Sequence, residues 1–199
     1  MKKAQKCYQF ILVLKKVDEN TPELEDSLFQ AGCDDALINF RNGTVYLDFD
    51  RKAASLEEAV MTAIKNVEAA PIKAKVANVA PEDWVTESDI AKRVLLERQT
   101  VSLWIKGARR KSKPFPKPIM KLSDRSPFWS WYEVAKWLFE NNLIFKEDEE
   151  VQNALFLQTI NAVLEERDVA VRKTRQELLK RFENFHSKEN RAHQKGHYH

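Results

Sequence analysis

Residues 86–107 read Thr86-Glu-Ser-Asp-Ile-Ala-Lys-Arg-Val-Leu-Leu-Glu-Arg-Gln-Thr-Val-Ser-Leu-Trp-Ile-Lys-Gly107, and this stretch decides the organisation of the chain. Thr86 followed three residues later by Asp89 is an N-cap signature, because short polar side chains there satisfy the free amides of a helix start. Ile90, Ala91 and Val94 then share one side of a short helix expected over 87–94. After a break at Leu95-Leu96, a second helix is expected over 97–106. Val101, Trp104 and Ile105 turn inward at helical spacing, and Gly107 closes it. The small Ala91 lets the two helices cross closely. Two short helices around a turn of about three to four residues have helix-turn-helix dimensions.

The side of the second helix left facing out carries Arg98, Gln99, Ser102 and Lys106. Charge concentrates in the same region. The 199 residues carry a net charge of only +3, but that balance is uneven. Residues 1–80 sum to −1, 81–145 to +4 and 146–199 to 0. Within the middle block, 98–125 holds nine bases against the single acid Asp124. All five tryptophans (Trp84, Trp104, Trp129, Trp131, Trp137) also lie there. A basic stripe beside a small aromatic core is the footprint of a nucleic-acid-binding module; the bland alternative is a solvated basic loop.

Composition excludes several classes. Hydrophobic residues at 43% and charged residues at 32% rule out a membrane protein and a wholly disordered one. No run approaches the ~18 apolar residues of a spanning helix. The start at Met1 to Lys6 lacks a following signal-peptide core. Two cysteines, Cys7 and Cys33, are too few for a disulfide scaffold and fit a reducing cytosol. Four glycines leave little room for a phosphate-cradling loop.

The N-terminal block, 1–80, reads as a small α/β domain. Tyr8-Gln-Phe-Ile-Leu-Val-Leu14 is apolar on both faces, as an interior strand is. Residues 22–31 place Leu24, Leu28 and Phe29 at helical spacing before the stop at Gly32. Two further runs meet at Asn42-Gly43, the strongest short hairpin signal. A two-residue turn there pairs Arg41 with Thr44, Phe40 with Val45, Ile38 with Leu47 and Ala36 with Phe49, which puts the apolar partners on one face. Ser55-Leu-Glu-Glu58 is a capping box opening a helix through Ala59, Val60, Ile64 and Val67. Residues 72–79 supply a last strand. The order β-α-β-β-α-β is that of a ferredoxin-like sheet. Asp34-Asp35 and the Asp48/Asp50 pair read as solvated surface, and nothing in the block reads as catalytic. Dimerisation or sensing of a small ligand is its expected role.

The middle residues resemble a known family. Thr86 to Val94 and Arg98 to Gly107, then Phe115-Pro-Lys-Pro118, a strand at 119–122, a tip at Ser123-Asp-Arg-Ser126 and a strand at 127–129, resemble the winged helix-turn-helix of MerR-type, AlpA-like and excisionase proteins. A closing helix follows, opened by the capping box Ser130-Trp-Tyr-Glu133 and running through Val134, Trp137 and Leu138. The resemblance covers residues 84–142. It implies that the second helix enters the major groove and that the hairpin is a wing. Arg98 then suits guanine and Gln99 adenine, at roughly 1–3 kcal/mol of discrimination each. Lys106, Arg109, Arg110, Lys111 and Lys113 suit phosphates, and Arg125 at the wing tip suits the minor groove or backbone. Two positions depart from the family. Leu95 stands where a Gly or small residue is usual, and Glu97 where a Ser or Thr commonly caps the second helix. A left-handed Leu95 would be strained.

Beyond this module, 147–186 is expected to form one long amphipathic helix, acidic at its start and basic toward its end. Its seam comprises Leu155, Ile160, Val163, Leu164, Val171, Leu178, Phe182 and Phe185, and pairing with another copy would bury it. All four histidines (His186, His193, His197, His199) fall in the last 14 residues, where 187–199 reads as a disordered tail. Histidine-based acid/base or nucleophile chemistry is therefore missing from the first 185 residues. The expected fold is α+β, with a ferredoxin-like domain, a winged helix-turn-helix and a long C-terminal helix. The expected function is sequence-specific double-stranded DNA binding by a cytoplasmic, nucleoid-associated transcriptional regulator. It would be a homodimer, through the C-terminal helix or the N-terminal domain, with no enzymatic activity, cofactor, metal or membrane. The competing readings are an architectural or excisionase-like recombination factor and a protein-interaction scaffold without DNA binding.

Overall fold

Strand β1 (Lys6–Lys15) buries Phe10, Leu12 and Leu14 on one face. It pairs along both edges, as an interior strand does. The computed structural model describes residues 5–81, 83–108, 113–143 and 148–195, with side chains described to residue 185. It is a mixed α+β structure. Helix α1 (Leu24–Gln30) follows β1, then the hairpin β2 (Ala36–Arg41) and β3 (Thr44–Ala53), helix α2 (Leu56–Ala69) and strand β4 (Lys75–Ala80). The four strands form one antiparallel sheet in the order β2-β3-β1-β4.

The hairpin register is the one the turn dictates. Arg41 faces Thr44, Phe40 faces Val45, Ile38 faces Leu47 and Ala36 faces Phe49. Asn42 and Gly43 both have positive φ, 51° and 77°, as the tight hairpin turn requires. Phe10 stacks on Phe49, with ring centroids 5.1 Å apart. At α2 the Ser55 hydroxyl accepts from the Glu58 amide at 3.1 Å, while the Glu58 carboxylate accepts from the amide of Ala54 at 2.8 Å. That box is displaced by one residue from the reciprocal pattern expected at Ser55.

Asp35 is not the solvated surface group that its sequence context suggests. It receives two hydrogen bonds from Arg51, at 2.8 and 2.7 Å, and Arg51 also donates to the Gly32 carbonyl at 2.8 Å. Arg51 is only 7% exposed. Its guanidinium lies 4.8 Å from the Phe49 ring centroid. A charge this buried persists only with such partners, and the pair ties β3 to the end of α1.

The middle block builds a second core. Strand β5 (Trp84–Val85) pairs with β6 (Trp129–Ser130); between them lie α3 (Glu87–Arg93) and α4 (Arg98–Ile105), and α5 (Trp131–Glu140) follows β6. Val85, Ile90, Ala91, Val101, Trp104, Trp129, Val134 and Leu138 are among its buried residues. Val151 and Ala154 of helix α6 (Glu149–Glu166) join them. Asn161 of α6 carries its side chain to the edge of the first sheet. It donates to the Val79 carbonyl at 2.9 Å and accepts from the Val79 amide at 2.8 Å. Its amide also donates to Asp83 at 3.1 Å. One side chain thus satisfies both backbone groups of Val79 at the open β4 edge.

The chain divides into two units, Met1–Asn161 and Ala162–His199. The single long helix expected over 147–186 is two helices, α6 and α7 (Val169–Lys195). The break is at Asp168, whose carboxylate accepts from the amides of Ala170 at 2.8 Å and Val171 at 3.3 Å. An Asp that caps two free amides opens a new helix better than it continues an old one. The expected seam also divides. Ile160 and Leu164 are buried with Val151, Ala154 and Leu157, while Leu155, Val163, Val171, Leu178, Phe182 and Phe185 are exposed. The tail from 187 onward lies outside the residues whose side chains are described, although the α7 backbone runs to Lys195.

Candidate nucleic-acid interface

Two local devices fix the ends of α3. Thr86 accepts from the Asp89 amide at 3.2 Å, and the Asp89 carboxylate accepts from the Thr86 amide at 3.0 Å and its hydroxyl at 2.6 Å. Those bonds, led by the one from the Thr86 hydroxyl, hold the Asp89 carboxyl below its ordinary range. At its far end α3 closes with the Leu96 amide on the Ala91 carbonyl at 3.0 Å and the Leu95 amide on that of Lys92 at 3.2 Å. This double bond pattern demands a left-handed residue between them, and Leu95 takes it at φ 54°. The expected strain at Leu95 is therefore real. Four residues separate α3 from α4, and the second helix opens at Glu97 with no side-chain cap.

Helix α4 turns Val101 and Trp104 into the core, where Trp104 packs against Trp137 of α5 at 5.7 Å. Gln99 and Lys106 are exposed, and Ser102 is half-buried. Arg98 is exposed but engaged. Its Nε donates to Glu87 of α3 at 3.3 Å. The guanidinium is thus partly neutralised by an acidic neighbour on α3.

The segment after α4 is anchored by aromatic residues. Phe115 is buried edge-on between Trp137 at 4.9 Å and Trp129 at 6.4 Å. Trp129 donates from its indole to the Pro116 carbonyl at 3.0 Å, and Trp137 to that of Lys113 at 3.1 Å. The tryptophans thus hold the main chain that carries Lys113 and Lys117 at the surface. Lys113 pairs with Glu140 at 3.2 Å. Arg109, Arg110 and Lys111 lie outside the described residues.

The expected wing strands shrink to a single bridge between Met120 and Phe128. Two backbone bonds close it, Ile119 to Phe128 and Phe128 to Met120, each 3.0 Å. Pairing instead moves to β5–β6, where Trp84 faces Ser130, a ladder the sequence reading did not anticipate. Arg125 is exposed near the hairpin tip. Arg93, absent from the expected site, stacks over Trp131 at 4.9 Å. The signal for it was a basic residue at the end of α3, two positions before the expected break.

Among the described residues no group of three or more His, Cys, Asp or Glu is placed to hold a metal ion. Among them, too, no helix is long and apolar enough to cross a membrane. No protein-family model, curated protein or solved structure matches the chain.

Proposed function

We propose that the chain is a sequence-specific double-stranded DNA-binding protein, a transcriptional regulator whose residues 84–142 act as a winged helix-turn-helix. In this reading α4 is the recognition helix and 119–129 the wing. One observation carries it: α4 spends Val101 and Trp104 on the core and leaves Arg98, Gln99 and Lys106 at the surface, at the head of a segment with eight more bases than acids. An outward polar face on a short, well-anchored helix is what major-groove reading requires. Arg98 and Gln99 read bases, with Ser102 on the same outward face; Lys106, Arg109, Arg110, Lys111 and Lys113 serve the backbone, and Arg125 the minor groove or backbone.

The first sheet, antiparallel in the order β2-β3-β1-β4, supports a ferredoxin-like assignment for residues 1–80, with a dimerisation or sensing role. The exposed apolar residues of α7, Val171, Leu178, Phe182 and Phe185, support pairing between two copies. The test is selection of bound sequences from a random duplex pool by the full chain. A defined motif is expected, repeated as a palindrome if the protein is a dimer. Gln99→Ala should relax the preference at one base pair while sparing affinity for random duplex. Equal losses on both would overturn base reading by α4.

A further inference from the structure

The hairpin tip carries side chains that a solvated loop does not call for. The Asp124 amide donates to the Lys121 carbonyl at 3.0 Å, so Leu122 and Ser123 are the two corner residues of a tight turn. Such corners favour Gly, Pro, Asn, Asp or Ser. Leu122 stands there 66% exposed, next to Met120 at 43% and Ile119 at 61%. Isolated surface leucines are ordinary, whereas three large apolar side chains within four residues mark a contact surface.

The charges around them select the partner. Lys117, Lys121 and Arg125 flank the tip, opposed by Asp124 alone. Lys121 folds its ammonium over the Phe128 ring at 4.8 Å, which braces the hairpin beneath the corner. Lys117 and Arg125 remain exposed. A greasy projection between cations suits a polyanion with an apolar interior. Stacked base pairs behind a row of phosphates are such a partner.

We propose that the hairpin is a wedge: Leu122 enters between two base pairs from the minor groove while Lys117 and Arg125 hold the flanking phosphates, so that the bound duplex is kinked. Side chains used this way unstack a base step and bend the duplex by about 20–90°. The deformation is cheapest at a flexible pyrimidine–purine step, so a TA or CA step is expected at the contacted position. The inference rests on the DNA-binding reading above and adds deformation of the site to it.

The test uses the full chain and duplexes of about 30 base pairs with a central TA step. Each carries a fluorophore at either end, with 2-aminopurine beside the step. At saturating protein, energy transfer should rise and 2-aminopurine should brighten. Leu122→Ala should lose most of both signals at saturation, with affinity reduced less than tenfold, and Leu122→Phe should keep them. Leu122 is exposed, so an unchanged melting temperature for both variants verifies that the fold is intact. Binding by the wild type with neither signal, or full signals from Leu122→Ala, overturns the wedge and leaves DNA binding standing. Dissociation of an oligomer by Leu122→Ala, with DNA bending unchanged, overturns it in favour of a protein contact. No binding to any duplex at low salt overturns both proposals together.

Discussion

Leu95 is the residue at which local and global demands disagree. Of the four helices that end in the same double-bonded motif, α1 supplies Gly32, α4 Gly107 and α5 Asn142 at the left-handed position, but α3 supplies Leu95. A left-handed L-residue costs roughly 1–2 kcal/mol, and glycine recovers it at a backbone-entropy cost of about 0.5–1 kcal/mol. Leu95 is 90% exposed, so its side chain contributes little burial to lose. Leu95→Gly is expected to stabilise the protein by up to ~1 kcal/mol, read as a higher urea midpoint with unchanged slope. A lower midpoint would mean that the leucine makes a contact in the native state. The strain was legible in the sequence because a turn needing positive φ stood opposite a branched side chain. Arg51 was not legible. Nothing local distinguishes a buried arginine on a strand from an exposed one, and its partner Asp35 lies 16 residues earlier, just ahead of β2.

At the scale of elements, the sequence is clearest where a pattern and a turn agree. Alternation in β2 and β3 and the Asn42-Gly43 turn each specify the same register, so the hairpin is read without ambiguity. The two-residue strands β5 and β6 are too short for any periodicity to register. The division of α6 from α7 turns on one capping carboxylate, which is invisible to a pattern that spans it. Helix α6 also makes a contact whose titration bears on stability. Glu150 accepts from the Trp131 indole at 3.3 Å, and burial pushes its carboxyl above the ordinary range, against the pull of that bond and of Arg93. A raised folded pKa means the folded state holds its proton more tightly. The stability that this group allows is therefore whole at acid pH and declines as pH rises through the raised pKa. Glu150→Gln keeps an acceptor for the indole and removes the charge. It should match the wild type near about pH 4 and exceed it at neutral pH. Urea midpoints at the two pH values check this; a variant less stable at neutral pH would show that the charge itself is favourable there.

In the whole molecule the near-neutral balance of +3 hides parts of different character. The first sheet has an acidic outer strand face at Asp48 and Asp50, both exposed. The tryptophan-cored block carries the bases, and α7 presents apolar side chains with no cover among the described residues of its own unit. The candidate site was legible in outline, since helical spacing alone predicts which residues of α4 face outward. Its ion pairs, Arg98 with Glu87 and Lys113 with Glu140, were not, because they join positions 11 and 27 residues apart. Under the proposed DNA-binding reading they set a condition, as each cation would exchange a carboxylate for a phosphate or base. Arg109 and Arg110 sit in the most basic run of the chain, and the electrostatic contribution can be counted through them. The decisive measurement is fluorescence anisotropy of the full chain on duplex DNA across a range of salt concentrations. DNA binding by the middle block predicts that log affinity falls linearly with log salt, and that Arg109→Ala with Arg110→Ala flattens the slope by about 2. An identical slope in the two proteins, or no binding even at low salt, would contradict it.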